Sequence, residues 1–203
     1  CMECGRYKRP QRPDDGPACS CRDTKIRLEA AKESANSFVD SYGGEISGGA
    51  RYLQIVTFSK STRAYSGGWT DVSTSEGRAA VEGYINSLTA NEGTNLQAGL
   101  LNAAVQFGAS AVSEIPENGR NAVLISDGGP TYYLQECSRQ GGRDHACLDH
   151  VNIDNVRYGI LANSTNGVYG DENINSSTAD AAAKLRKLAS VYSICVGDIN
   201  AYT

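Results

Sequence analysis

The side chains best suited to chemistry are the cysteines, which fall into three groups. Cys1, Cys4, Cys19 and Cys21 crowd one segment with the spacing Cys-x2-Cys-x14-Cys-x-Cys. Four thiolates in one loop form a ligand set for Zn2+, and the first pair opens like a zinc knuckle, Cys-x-x-Cys-Gly. Two disulfides are the alternative, because the Cys-x-Cys pair departs from zinc spacing; a redox-active pair is the third reading. Cys137 and Cys147 read as a disulfide, whose short loop would remove roughly 2.8 kcal/mol of unfolded-state entropy in the chain-entropy model. Asp144, His145, Cys147 and His150 make a second metal reading. Cys195 stands alone in an apolar run and is expected to be buried and unpaired. A hydrolytic triad is not expected, because no Gly-x-Ser-x-Gly elbow occurs and both histidines lie in one loop region, so the chain does not read as an enzyme. Taken alone, Asp127 before Gly128-Gly129 reads as a turn residue and Thr94 as a helix N-cap.

Elements of regular period position these residues. The first two dozen residues carry Pro10, Pro13, Gly16 and Pro17 and read as loop. Leu28, Ala31, Ala35, Phe38, Val39 and Tyr42 recur at helical spacing, with Asp23 or Thr24 as cap and Gly43-Gly44 as stop. Tyr52–Phe58 is nearly all apolar, as for a strand covered on both faces, and a short strand follows around Thr62–Tyr65. Ser73-Thr74-Ser75-Glu76 is a capping box opening a helix that buries Val81, Tyr84, Ile85 and Leu88. A longer helix runs from the Asn91–Asn95 loop through Leu96, Leu100, Ala103, Phe107 and Ala111. Ala122–Ile125 reads as a central parallel strand ending in a sharp turn, and Val191–Val196 as the last strand. Between them lies an insertion at about 128–177, with a strand near Val156–Leu161. Ser177-Thr178-Ala179-Asp180 reads as a second capping box, opening a helix with Ala182, Leu185 and Ala189 inward.

Composition narrows the class. With 203 residues, 40% of them hydrophobic, the chain suits one globular α/β domain. A formal net charge of −4 argues against a nucleic-acid partner bound by phosphate neutralisation. No apolar run approaches the ~18–20 residues of a membrane span. Cys1-Met2-Glu3-Cys4 is neither a signal peptide nor an ordinary start, so the chain reads as a piece of something longer.

From Lys25 to Pro130 the chain resembles the von Willebrand factor A (vWA) family. Ile26–Lys32 looks like the family's first helix, Gln54–Ser59 its second strand, and Gly93-Thr94-Asn95-Leu96 the loop whose threonine is the second metal motif. Leu124-Ile125-Ser126-Asp127-Gly128 looks like the strand end whose aspartate is the third, and Tyr192–Gly197 the next strand. The resemblance implies an α/β fold with a doubly wound, mostly parallel sheet and helices on both faces, a Rossmann-like arrangement incomplete at both ends. It divides the chain into a Cys-rich loop over 1–22 and a vWA core over 23–203 carrying the insertion. The family's first motif, Asp-x-Ser-x-Ser, and the mid-sheet strand bearing it do not occur here. That strand is expected from upstream sequence or from another chain.

The resemblance also implies a metal-ion-dependent adhesion site for Mg2+ or Mn2+. Thr94 and Asp127 would be ligands, directly or through water, and the remaining ligands would come from outside this chain. Such hard cations take oxygen ligands in an octahedron. A protein or glycan partner would complete the shell with a carboxylate or polar group. The leading expectation is an adhesion module of a secreted or surface-anchored protein, such as a bacterial pilus or wall adhesin, located outside the cell. Two alternatives stand beside it: an intracellular vWA scaffold with a four-cysteine zinc site that assembles with an ATPase, and a filament subunit with a degenerate metal site. Ligands of open parallel sheets bind beyond the carboxyl ends of the strands. The insertion and the Cys-rich loop are therefore expected to form a rim there, with Tyr132, Tyr133, Tyr158 and Tyr169 as contact surface.

Overall fold

The structure, a computed structural model, describes residues 21–44, 49–90, 93–109, 112–126, 129–137, 149–162 and 172–195. The first helix, α1 (Cys21–Gly44), starts ahead of Asp23 and Thr24, so these lie inside its first turn and not before it. It stops where glycine is needed: a Cβ on Gly43 would overlap the Val72 carbonyl oxygen. Arg78 locks that end by donating to the carbonyls of Gly43 at 3.4 Å and Val72 at 3.0 Å. Val39 is buried and Ala35 packs beside the same cluster. Phe38 and Tyr42, expected on that inward face, instead stack on each other with ring centroids 5.5 Å apart and remain 37% exposed. The apolar stripe of α1 is wider than the surface that its packing partners cover.

The apolar run Tyr52–Phe58 forms two strands where one was expected: β1 (Tyr52–Leu53) and β2 (Val56–Phe58). The chain changes pairing partner between them. Gln54 Nε2 donates to the Tyr65 carbonyl at 3.1 Å, and the Asp71 carboxylate accepts the Arg51 N–H at 3.1 Å. The strand β2 pairs antiparallel with β3 (Thr62–Ala64), and β1 with β4 (Thr70–Asp71). The helix α2 (Ser75–Ser87) is capped by Thr74, whose hydroxyl accepts the Gly77 N–H at 3.0 Å, and buries Val81 and Ile85. The helix α3 (Leu96–Gly108) follows, and then β5 (Asn121–Ser126).

The insertion has its own architecture. Three strands, β6 (Tyr132–Glu136), β7 (His150–Ile153) and β8 (Val156–Ala162), form an antiparallel sheet in the order β6-β8-β7. Asp154 and Asn155 turn β7 into β8 with φ of 51° and 61°, the paired left-handed conformation of a two-residue hairpin loop. The helix α4 (Glu172–Arg186) begins well before the expected capping box. Ser177 and Thr178 therefore lie within it, and the Ser177 hydroxyl donates to the Ile174 carbonyl at 3.1 Å. The last strand, β9 (Ser190–Cys195), pairs parallel with β5.

The expected doubly wound, mostly parallel sheet is not what the described residues form. They make small sheets of two or three strands, and only β5–β9 is parallel. The physical reason is visible at the strand edges: no described strand joins β2–β3 to β5–β9. The two pairs nonetheless share a floor. Gly99 of α3 lets the Phe58 ring approach so closely that a Cβ there would stand 2.8 Å from Cδ1. Ala122 and Val191 pack on the same core, which gathers Leu100, Leu101, Phe107, Leu134, Ile160 and Leu185 from α3, α4 and the insertion. Ile55 packs on the opposite side, against the second core of Val39, Val72, Val81 and Ile85. Helices thus lie against both faces of this strand segment.

Candidate functional site

Thr94 sits in the connection from α2 to α3, and its backbone is held on two sides. Its carbonyl accepts the N–H groups of Thr131 at 2.7 Å and Tyr132 at 3.1 Å, and its own N–H donates to the Thr131 hydroxyl at 2.8 Å. One turn on, Gln97 Oε1 accepts the Leu134 N–H at 2.6 Å. The start of the insertion is therefore bonded directly to the loop that carries the candidate metal threonine. Among the described residues no partner is recorded for the Thr94 hydroxyl, whereas its backbone groups are all engaged.

The residue that fixes this loop is Asn95. It is fully buried and, besides the helix bond that its carbonyl accepts from the Gly99 N–H at 3.2 Å, makes three bonds: its N–H to the Ser59 carbonyl at 2.7 Å, its Nδ2 to the Lys60 carbonyl at 3.1 Å, and its Oδ1 from the Ala98 N–H at 3.0 Å. The N-cap of α3 is thus Asn95, and Thr94 is freed from the capping role read for it in the sequence. Because Ser59 directly follows β2, this tether places Thr94 at the carboxyl end of that strand. Gly93 has φ of 74°, and a Cβ on it would overlap the Tyr132 ring. Only glycine serves there without strain.

Asp127 lies outside the described residues. The strand preceding it ends at Ser126, and Thr131, a few residues on, is the residue bonded to Thr94. The loop after β5 thus returns to the Thr94 loop. Among the described residues no group of three or more His, Cys, Asp or Glu gathers as a metal-binding cluster. What they offer a hard cation is one hydroxyl, that of Thr94, on an anchored backbone. An oxygen donor of that kind suits a hard cation, and Asp127 lies outside the described residues.

An exposed ion pair joins the β2–β3 turn to the insertion. Lys60 Nζ contacts the Asp149 carboxylate and lies 5.8 Å from the centroid of the Tyr132 ring. Lys60 also supplies the carbonyl that Asn95 grips, so the β2–β3 turn meets the Asn95 loop through its backbone and the insertion through its side chain. Of the tyrosines read as contact surface, Tyr132 and Tyr158 are half-buried and pack on the main core. Burial, and then the carboxylates of Glu136 and Asp154, push the Tyr158 phenol above its ordinary pKa. Tyr133 is half-buried in β6, and Tyr169 lies outside the described residues.

The thiols are only partly placed. Cys137, just past β6, is disulfide-bonded. Cys147, its expected partner, lies outside the described residues, as do Cys1, Cys4 and Cys19; Cys21 opens α1 and Cys195 closes β9. Of the second metal reading, Asp144 and His145 are likewise outside, and His150 Nδ1 stands 3.3 Å from the Arg157 guanidinium. A guanidinium can only donate, so that nitrogen's lone pair is directed at Arg157 and not at a metal.

Asn95 and the Asp154-Asn155 turn were missed as site-building residues. The second lacks the Asn-Gly or Asp-Gly pair that marks a two-residue hairpin loop, although Val151 and Ile153 before it and Val156 and Tyr158 after it alternate.

No protein-family model matches the chain, and no curated protein matches it. Among solved structures it is similar to the pilus adhesin SpaC from Lactobacillus rhamnosus GG. With the open conformation the TM-score is 0.52 at 14% identity, covering 84% of this chain and 22% of that one. Another form of the same adhesin gives a TM-score of 0.47 at 14% identity, covering 91% of this chain and 23% of that one. At that identity the likeness is one of fold. The chain has a pilus adhesin-like fold and spans 22% of the length of the adhesin that shows it.

Proposed function

We propose that this chain is the ligand-binding module of a surface adhesin, of the pilus-tip or wall-anchored kind. In this reading it is a vWA-type module outside the cell that binds and does not catalyse. Thr94 and Asp127 hold a Mg2+ or Mn2+ ion, and the remaining protein ligands come from the polypeptide outside residues 1–203. When bound, the ion offers a Lewis-acidic position that a carboxylate or polar group of a protein or glycan partner fills. The chain's own residues prepare that position. Asn95 and Thr131 fix the Thr94 backbone, and the insertion's sheet walls one side of it. A rim built in advance reduces the ordering cost of binding.

The observation that carries the reading is the bonding of the Thr94 loop to the insertion, on a fold similar to that of a pilus adhesin. One feature supports it less directly: Cys137 is disulfide-bonded, as suits an oxidising compartment. Titration calorimetry of Mn2+ into the full polypeptide tests the reading. Saturable binding is expected, weakened at least about tenfold by Thr94→Ala and by Asp127→Ala, each a loss of about 1.4 kcal/mol or more. Equal Mn2+ affinity in all three proteins would refute it.

A further inference from the structure

Lys60 reaches from the Thr94 loop to the insertion. It lies in the turn between β2 and β3, which the Ser59 N–H closes on the Ser61 carbonyl at 2.8 Å. Its own carbonyl is held by Nδ2 of the buried Asn95 at 3.1 Å. From that anchor the side chain runs to the insertion, where Nζ meets the Asp149 carboxylate and lies 5.8 Å from the Tyr132 ring centroid. The same ring abuts Gly93, and the Tyr132 N–H bonds the Thr94 carbonyl at 3.1 Å. Asp149 is anchored as well, since its carbonyl accepts the Ile160 N–H at 2.9 Å. Two residues with fixed backbones thus present an ammonium and a carboxylate beside the candidate site. Both side chains stay open to water, at 40% and 54% exposure.

Such a pair adds little to stability, because water and salt screen it and two side chains lose freedom in it. It is therefore easily opened. An ammonium beside a dication site is repelled by the ion unless a carboxylate neutralises it, and Asp149 does so while no partner is bound. A carboxylate from the partner can take over that role, and the released Asp149 is solvated where it stands. Asp149 also shows what kind of acid fits. It is an aspartate side chain carried by an extended chain, directly before β7.

We infer that Lys60 determines specificity for an acidic peptide segment of the partner, whose carboxylate displaces Asp149 from the ammonium. This rests on the adhesin reading for bringing a partner to this end of the molecule. It goes further by adding a contact: the acid at Lys60 is separate from whatever group meets the ion. A peptide suits this rim better than a sugar, which is held by stacking on an open aromatic face. Here Lys60 lies over the Tyr132 ring, Gly93 stands against the edge of that ring, and Tyr158 packs on the core.

Fluorescence anisotropy of a labelled hexa-aspartate peptide, titrated with the full polypeptide in Mg2+, tests the inference. The acidic peptide should bind at least about 10-fold more tightly than a labelled Gly-Ser hexamer. Lys60→Gln should remove that preference, and Lys60→Arg should keep it. Asp149→Asn should tighten binding by about 2–5-fold, because the competing carboxylate of an exposed pair is gone. That gain should vanish in the Lys60→Gln background, the mark of a direct exchange. A merely structural clasp between turn and insertion predicts weaker binding in both single variants, and a general field effect predicts additive changes. Either result would overturn the inference. So would equal affinity for the Gly-Ser peptide, or tighter binding of a sialic acid hexamer, which would make the partner a sugar acid. Repeating the series in EDTA separates this inference from the cation reading, because the coupling of Lys60 to Asp149 does not pass through the ion. Coupling present with equal affinity in Mg2+ and in EDTA contradicts the cation reading alone. Saturable Mn2+ binding with no coupling contradicts this inference alone.

Discussion

Removing the Asn95 side chain should destabilise the protein by about 2–4 kcal/mol, and the structure shows where that comes from. In Asn95→Ala the cap of α3 is lost, which costs about 0.5–2 kcal/mol. The Lys60 carbonyl and the Ala98 N–H lose the partners they have at 3.1 and 3.0 Å, beside a residue with 0% exposure. Each buried group left unsatisfied costs about 1–3 kcal/mol, and local relaxation keeps the total below the simple sum. For a chain of this size each kcal/mol shifts Tm by about 2–4 °C, so a fall of about 4–16 °C is expected. Asn95→Ser keeps an acceptor for the cap but cannot reach Lys60, and should recover roughly half of the loss. Urea unfolding gives the stability directly, with an unchanged m-value showing that the folded state has kept its compactness. An Asn95→Ala protein within about 0.5 kcal/mol of wild type would show that the three-bond anchor does not hold the Thr94 loop.

Two further perturbations probe the same framework. Gly93→Ala should cost more than about 1 kcal/mol, since it combines positive φ with overlap on the Tyr132 ring; Tyr132→Ala in the same protein should relieve the overlap, giving a clearly non-additive double-mutant cycle, whereas additive losses would refute the ring contact. The Asp71 carboxyl is held below its ordinary pKa, first by the Ser73 hydroxyl and then by the backbone N–H groups of Ser73 and Arg51. A depressed carboxylate contributes stability that is fully present above its unfolded pKa and is lost as pH falls through the folded one. Ser73→Ala should therefore lower stability at neutral pH and flatten the acid limb, the two proteins converging at low pH; an unaltered acid limb would refute that assignment.

The sequence made some elements legible because local and tertiary preferences agree in them. Ala122–Ile125 is β-rich, short and bounded by polar residues, and it lies within β5; of the run Val191–Val196, Val191 to Cys195 lie within β9 and Val196 lies outside the described residues. The helix α3 follows directly from a loop ending in Asn95. Elsewhere tertiary bonds override local preference. The apolar run from Tyr52 to Phe58 is split because its two ends pair with different strands, β4 and β3, a choice defined only in three dimensions. Ser177–Asp180 has the pattern of a cap but lies inside α4, because the helix extends back to Glu172 and buries Ile174. The antiparallel sheet of the insertion was concealed by its short strands and by a turn with no glycine. In the candidate site, Thr94 was reached through resemblance. Its anchor, Asn95, could not be read from spacing, since the carbonyls it serves belong to Ser59 and Lys60, far away along the chain.

The central claim is that Thr94 is a ligand corner of a divalent-cation site. Anomalous diffraction at the manganese edge, on crystals of the full polypeptide soaked in Mn2+, addresses it directly. The account predicts a peak at about 2.0–2.3 Å from Thr94 Oγ1, or one water further out, shared with the Asp127 carboxylate. A peak elsewhere, with the Thr94 hydroxyl facing no ion, would contradict it.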